Sequence, residues 1–113
     1  MVNKAKGGFQ LMGESLEMVA ARFRALSSPT RLKILEHLFG GEKTIPELVK
    51  ETGLSQPNIG KHIGLLSETG VLTRRREGLH VYYGLGDDSL PSLVKDAYNA
   101  LAKQFAQRSR LFK

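Results

Sequence analysis

The apolar residues of this chain recur at two different periods, and the order of those periods limits the fold more than any single motif. From Met12 to Leu66 they return every three or four residues, the spacing that puts one stripe on a helix. From Val71 to Leu85 they alternate, with β-branched and aromatic residues prominent, as in strands. From Leu90 the helical spacing resumes. The resulting order is helix, helix, helix, helix, hairpin, helix.

Local signals divide the helical part. Met12, Leu16, Val19, Ala20 and Phe23 form a first stripe, either core or a dimer seam. Ser28 can cap a second helix, with Pro29 at its first position, where the missing N–H costs nothing. Leu32, Leu35, Leu38 and Phe39 mark its buried side, and Gly40-Gly41 ends it. Thr44-Ile45-Pro46-Glu47 fits a capping box. The short helix that follows runs to Thr52, and Gly53 stops it as a C′ glycine does. Ser55-Gln56-Pro57 starts another, with Ile59, Ile63 and Leu66 on one face and Gly70 at its close. Two helices thus flank Thr52-Gly53-Leu54, the short glycine-containing turn of a helix-turn-helix.

The strands are expected at 71–76 and 79–85, joined by Glu77-Gly78. Leu79, Val81, Tyr83 and Leu85 share one face of the second, His80 and Tyr82 the other. Asp87, Asp88 and Ser89 supply caps and negative charge for a last helix. Leu90, Leu93, Val94, Ala97, Leu101 and Phe105 give it an apolar stripe. A helix-turn-helix followed directly by a hairpin is a winged helix-turn-helix, mainly α with a β-hairpin wing. Residues 1–12, with Lys4, Lys6 and Gly7-Gly8, are expected to be a mobile arm, 13–109 the domain, and 110–113 a basic tail.

Composition narrows the chemistry. The 113 residues carry a formal charge of +6, which favours a polyanionic partner, although membranes and simple solubility also suit such a balance. With no cysteine, disulfides, thiolate metal sites and thiol redox sensing are excluded. No apolar run approaches the ~20 residues of a membrane span, and the N-terminus has no apolar signal core. The expectation is a cytoplasmic protein. There is no Gly-rich phosphate loop, nucleophile elbow or usefully spaced pair of His and carboxylate, so no enzyme is expected.

Three stretches, ALSSPTRLKILEHL (25–38), LSQPNIGKHIGLLSETGVL (54–72) and RRREGLHVYYGL (74–85), resemble the ArsR/SmtB-type regulators of bacteria and archaea. With the spacing between them, the resemblance covers about residues 16–105. It implies a homodimer joined mainly through the first and last helices, repressing transcription at a palindromic operator. The dimer contacts it implies are Leu16, Val19 and Phe23 with Leu93, Ala97, Leu101 and Phe105.

A helix fits the major groove with its N-terminal residues at the base edges. Here those are Ser55, Gln56, Asn58, Lys61 and His62. Gln and Asn can pair with adenine, and Lys can donate to guanine. Ser55 is equally an N-cap or a phosphate contact. Gly60 stands where the resembling family usually has Ser, and Lys61 where it commonly has His or Arg, so base preference does not transfer. In the wing, alternation keeps Arg74 and Arg76 on the face opposite Arg75. Arg75, Arg76 and His80 are the expected DNA contacts at its tip.

The resemblance also implies where relatives bind metal. One site uses cysteines in the helix that starts at Thr44, and Thr44 stands in a cysteine's place. The other lies on the last helix. Asp87 is kept there, but Ser89 replaces a His, and Ala100 and Lys103 occupy the second pair's positions. Such a set cannot hold zinc, which needs three or four N, S or O ligands. His37, His62 and His80 have no second ligand at metal spacing, so no metal or other cofactor is expected. Two functions remain: a DNA-binding repressor answering an organic ligand, a partner protein or nothing, or a winged-helix module binding protein or structured RNA.

Overall fold

A computed structural model describes residues 2–5 and 8–111, with side chains described for 12–108. The elements are β1 (Val2–Ala5), β2 (Gly8–Leu11), α1 (Gly13–Leu26), α2 (Pro29–Leu38), α3 (Ile45–Thr52), α4 (Gln56–Glu68), β3 (Leu72–Glu77), β4 (His80–Leu85) and α5 (Leu90–Leu111). The expected succession of four helices, a hairpin and a last helix is present. The N-terminal ribbon is an addition: β1 and β2 pair antiparallel, Val2 opposite Leu11 and Ala5 opposite Gly8. Of the expected basic tail, Arg110 and Leu111 continue α5, while 112–113 lie outside the described residues.

The caps are made by the residues whose chemistry suits them. Ser28 accepts from the Arg31 N–H with Pro29 in the first turn of α2. Thr44 and Glu47 complete a reciprocal capping box, Thr44 N–H donating to Glu47 Oε1 at 3.0 Å and Glu47 N–H to Thr44 Oγ1 at 3.2 Å. Ser55 accepts from the Asn58 N–H. Between α3 and α4 the chain reverses at Gly53, whose φ of 75° is left-handed and costs a glycine little. Thr52 stiffens the turn: its hydroxyl donates to Leu48 O at 2.6 Å and accepts from Leu54 N–H at 3.1 Å.

One core holds α2, α3, α4 and the base of the wing together. Ile34, Leu35, Leu38, Leu48, Ile59, Ile63, Leu66, Val71 and Leu90 are buried within it. Each fully buried aliphatic side chain contributes roughly 1.5–3 kcal/mol relative to exposure. In α2 the buried face includes Ile34, which the expected stripe omits, while Leu32 and Phe39 are only partly buried against the cluster. Burial on α4 follows expectation: Ile59, Ile63 and Leu66 face inward, leaving the N-terminal polar residues outside.

In the wing Leu72 pairs with Leu85, Arg75 with Tyr82 and Glu77 with His80. The connecting residues are therefore Gly78 and Leu79, one position beyond the expected Glu77-Gly78. The cause is Gly78, whose φ of 62° suits the first central position of a tight hairpin loop. This shift puts Leu79 in the loop, 94% exposed, rather than on the inner face with Tyr83 and Leu85. The wing is also fastened to the loop before α3, because Lys43 N–H donates to Tyr83 O at 2.9 Å and Tyr83 N–H to Lys43 O at 2.8 Å.

Candidate nucleic-acid interface

The helix-turn-helix presents the N-terminal turns of α4 on its outer side. Ile59 and Ile63 anchor the inner face. Gln56 and Lys61 are exposed, and Asn58 and His62 are half-buried. Ser55 acts as the N-cap, its Oγ accepting from Asn58 N–H at 3.3 Å. Gly60 has open space around its missing side chain, so no packing within the chain demands a glycine there.

His62 is approached by a residue from another helix. Arg31 Nη1 lies 3.4 Å from His62 Nδ1, and the same guanidinium donates to Ala25 O at 2.6 Å and Arg24 O at 3.1 Å. Arg31 thus joins the end of α1 to α4 across α2. Burial, then the charges of Arg31 and Lys61, hold the His62 pKa below its ordinary value. The sequence did contain a hint of Arg31. A cation in the first turn of a helix opposes the helix dipole, and that turn of α2 has no acidic residue to offset it. Such an arginine belongs to something else.

The wing arginines differ in their surroundings. Directly opposed residues share a face, so Arg75 lies with Tyr82, and Arg74 and Arg76 lie with Tyr83 and Val81. Arg75, itself exposed, is paired with two carboxylates. Its Nη2 is 3.1 Å from Glu42 Oε1 and its Nη1 is 2.5 Å from Glu77 Oε2. Its guanidinium carbon also stands 4.6 Å from the Tyr82 ring centre, a cation–π contact. The Glu77 and Glu42 bonds raise the Arg75 pKa, and the Arg75 bond lowers that of Glu77. Arg74 and Arg76 are exposed and, among the described residues, pair with no carboxylate. Arg76 donates weakly to Gly78 O at 3.4 Å. His80 is exposed beside Tyr82, ring centres 6.3 Å apart.

Asp87 has a structural occupation. Oδ1 accepts from the Ser89 N–H at 2.9 Å and hydroxyl at 2.6 Å, and Oδ2 from Arg22 Nη1 at 3.0 Å. Glu51, on α3, likewise joins His37 and Lys43. Among the described residues, no three His, Cys, Asp or Glu side chains gather as a metal site would require.

The outer faces of α1 and α5 carry apolar side chains that this chain leaves uncovered. Leu16, Phe23, Leu101 and Phe105 are each more than half exposed, and Val19 and Leu93 are 40% and 38% exposed. An apolar groove of about 550 Å³ runs between the two helices, lined by Phe23, Leu26, Leu93, Val94, Ala97 and Leu101 among others.

A capped helix offered outward from a tight turn, with a hairpin fixed beside it, defines a winged helix-turn-helix DNA-binding protein. Comparison with known proteins specifies the class. Residues 28–74 match the model of the bacterial regulatory protein, arsR family. The transcriptional repressor SdpR of Bacillus subtilis is 33% identical over 81 residues, 72% of this chain and 90% of that protein. The chain belongs to the ArsR family of transcriptional regulators. A probable mercury resistance operon repressor of Streptomyces lividans is 40% identical over 78 residues, 69% of this chain, which spans 62% of that protein. Among solved structures, a homodimeric winged helix-turn-helix DNA-binding domain from Mycobacterium bovis superposes with a TM-score of 0.74 at 24% identity, over 87% of this chain and 93% of that one.

Proposed function

We propose that this protein is a cytoplasmic repressor that binds a two-fold DNA site as a homodimer, reading bases with the start of α4. The observation that carries this reading is the outward placement of Gln56 and Lys61 on a helix anchored from behind by Ile59 and Ile63. Gln56 and Asn58 have the donor and acceptor pairs for adenine, and Lys61 a donor for guanine. Ser55 caps the helix and orients its first N–H groups toward a phosphate. Arg76 and His80 at the wing tip supply backbone attraction. Arg75 keeps the wing in shape, because Glu42 and Glu77 already neutralise its charge.

The dimer forms through Leu16, Val19 and Phe23 of α1 with Leu93, Ala97, Leu101 and Phe105 of α5. They are apolar side chains that a single chain leaves exposed on its first and last helices, the kind of surface that marks an interaction site when it is contiguous, and the Mycobacterium bovis neighbour is homodimeric. The role is regulatory rather than catalytic. It answers an organic ligand, a partner protein or nothing, rather than a metal at the two positions relatives use, since the chain has no cysteine and Asp87 is held by Arg22 and Ser89.

Mobility-shift titration against genomic fragments over a range of salt tests the proposal. The expected result is preference for a fragment with two-fold symmetry and half-sites one or two helical turns apart, about 34–36 Å per turn. Equal affinity for every fragment would sink it and favour a module for protein or structured RNA. Sedimentation should give a dimer. A 12.5 kDa species at micromolar concentration would contradict the assembly.

A further inference from the structure

The two ring nitrogens of His62 have different surroundings. Nδ1 faces Arg31 Nη1 at 3.4 Å. A guanidinium has donors and no acceptor, and it keeps its proton in proteins. The facing nitrogen must therefore accept. The guanidinium cannot turn away without loss, since it also donates to the Ala25 and Arg24 carbonyls. These lie at the C-terminal end of α1, where a cation complements the helix dipole. Nε2 makes no hydrogen bond within the described residues and is not among their buried, unpartnered atoms. It is therefore not sealed within the protein, and it belongs to a half-buried side chain on α4.

We propose that Arg31 fixes His62 as the neutral tautomer protonated at Nε2, making it a dedicated hydrogen-bond donor toward DNA. This deepens, and rests on, the reading of α4 as the DNA-contacting helix. A ring with its free edge set as a donor selects acceptors: guanine O6 or N7, adenine N7, thymine O4 or a phosphate oxygen. It has nothing to offer the cytosine amino group, itself a donor. The second proton, which would make the ring a cation and oppose Arg31, is disfavoured by burial and by the charges acting on the ring, Arg31 from α2 and Lys61 from α4. Arg31 is thus a positioning residue. It need not touch DNA, and without it the same ring could present either nitrogen lone pair or N–H.

Nitrogen-15 NMR of the full chain with labelled histidine rings tests the tautomer directly, His62→Gln assigning the signal among the three histidines. The expected spectrum at neutral pH has an unprotonated Nδ1 and a protonated Nε2. A proton on Nδ1, or an even mixture, would overturn the proposal. Arg31→Met, its folding checked by circular dichroism, should shift the ring toward a mixture. An unchanged tautomer would remove Arg31 from the account, and the wild-type spectrum remains decisive if that variant does not fold.

Binding then asks whether the donor is used. His62→Leu removes one hydrogen bond from each subunit and should weaken operator binding about thirtyfold, about fivefold for each, while His62→Gln, whose amide N–H₂ can replace Nε2–H, should retain most of the affinity. Loss on the operator alone identifies a base as the acceptor, and equal loss on random DNA identifies a phosphate. No loss in His62→Leu refutes the donor role. If wild-type protein fails to distinguish operator from random DNA, the reading of α4 fails instead, and the spectrum still decides the tautomer.

Discussion

Two neighbouring arginines on one strand should respond differently to the same mutation. Arg76 has no carboxylate within ion-pair distance among the described residues, whereas Arg75 has Glu42 at 3.1 Å and Glu77 at 2.5 Å. Neutralising one DNA phosphate releases condensed counterion and adds about 0.9 to the slope of log affinity against log salt. Arg76→Ala in a two-fold complex removes two such contacts, so the slope should become shallower by about 1.8. Over a fourfold rise in salt, from about 50 to 200 mM, the variant's affinity then falls about tenfold less than the wild type's. Arg75→Ala should leave the slope nearly unchanged, because the charge it removes is already paired with Glu42 and Glu77. Glu42→Gln should steepen it by loosening Arg75 toward the phosphates. Fluorescence anisotropy with a random-sequence duplex at four or five salt concentrations measures all three. An Arg75→Ala slope as shallow as that of Arg76→Ala would refute the distinction.

Other consequences concern the scaffold. Ile59→Ala empties a fully buried position behind the recognition helix and should cost about 2–5 kcal/mol in urea unfolding, with specific DNA binding lost in proportion to the unfolded fraction. Thr44→Ala removes half of the capping box and should lower stability by about 1 kcal/mol, readable as a lower melting temperature. Gly86→Ala places a new carbon 2.7 Å from Gly70 O and 3.3 Å from Val71 O. Backbone must shift to admit it, at roughly 1–3 kcal/mol in the same unfolding assay. The Asp87 carboxyl is held below its ordinary 3.8, first by the Ser89 hydroxyl and backbone N–H and then by Arg22. Its stabilisation is therefore present above about pH 4 and lost as pH falls through the lowered value. The melting-temperature advantage of wild type over Asp87→Asn should shrink over that acidic range, and an advantage independent of pH would count against the Arg22–Asp87 link.

Much of the fold is legible because local chemistry and global packing agree. Ser28, Thr44 and Ser55 are side chains that cap, and each precedes a helix whose apolar spacing needs a start there. The wing is legible from alternation. Its loop position is not, since Glu77-Gly78 and Gly78-Leu79 both suit the local sequence and only the pairing of Glu77 with His80 separates them. The N-terminal ribbon had one cue, Gly7-Gly8, and strands four residues long carry too little alternation to support it. At the candidate interface, α4 could be read residue by residue because helix period assigns each side chain a face. The contrast between Arg75 and Arg76 could not. It depends on Glu42, 33 positions earlier, brought near by the fastening of Lys43 to Tyr83. Arg31 and His62 are likewise 31 positions apart and meet only because α2 packs on α4.

The central claim is that the first turns of α4 read base sequence. Gln56→Ala and Lys61→Ala leave the core untouched, since both side chains are exposed. Equilibrium binding of each variant to a selected operator and to random DNA, at one salt concentration, tests the claim most directly. The account predicts a loss of about 1–3 kcal/mol per good base contact on the operator, with random DNA held as tightly as before in Gln56→Ala. Equal losses on both duplexes in Gln56→Ala would contradict it.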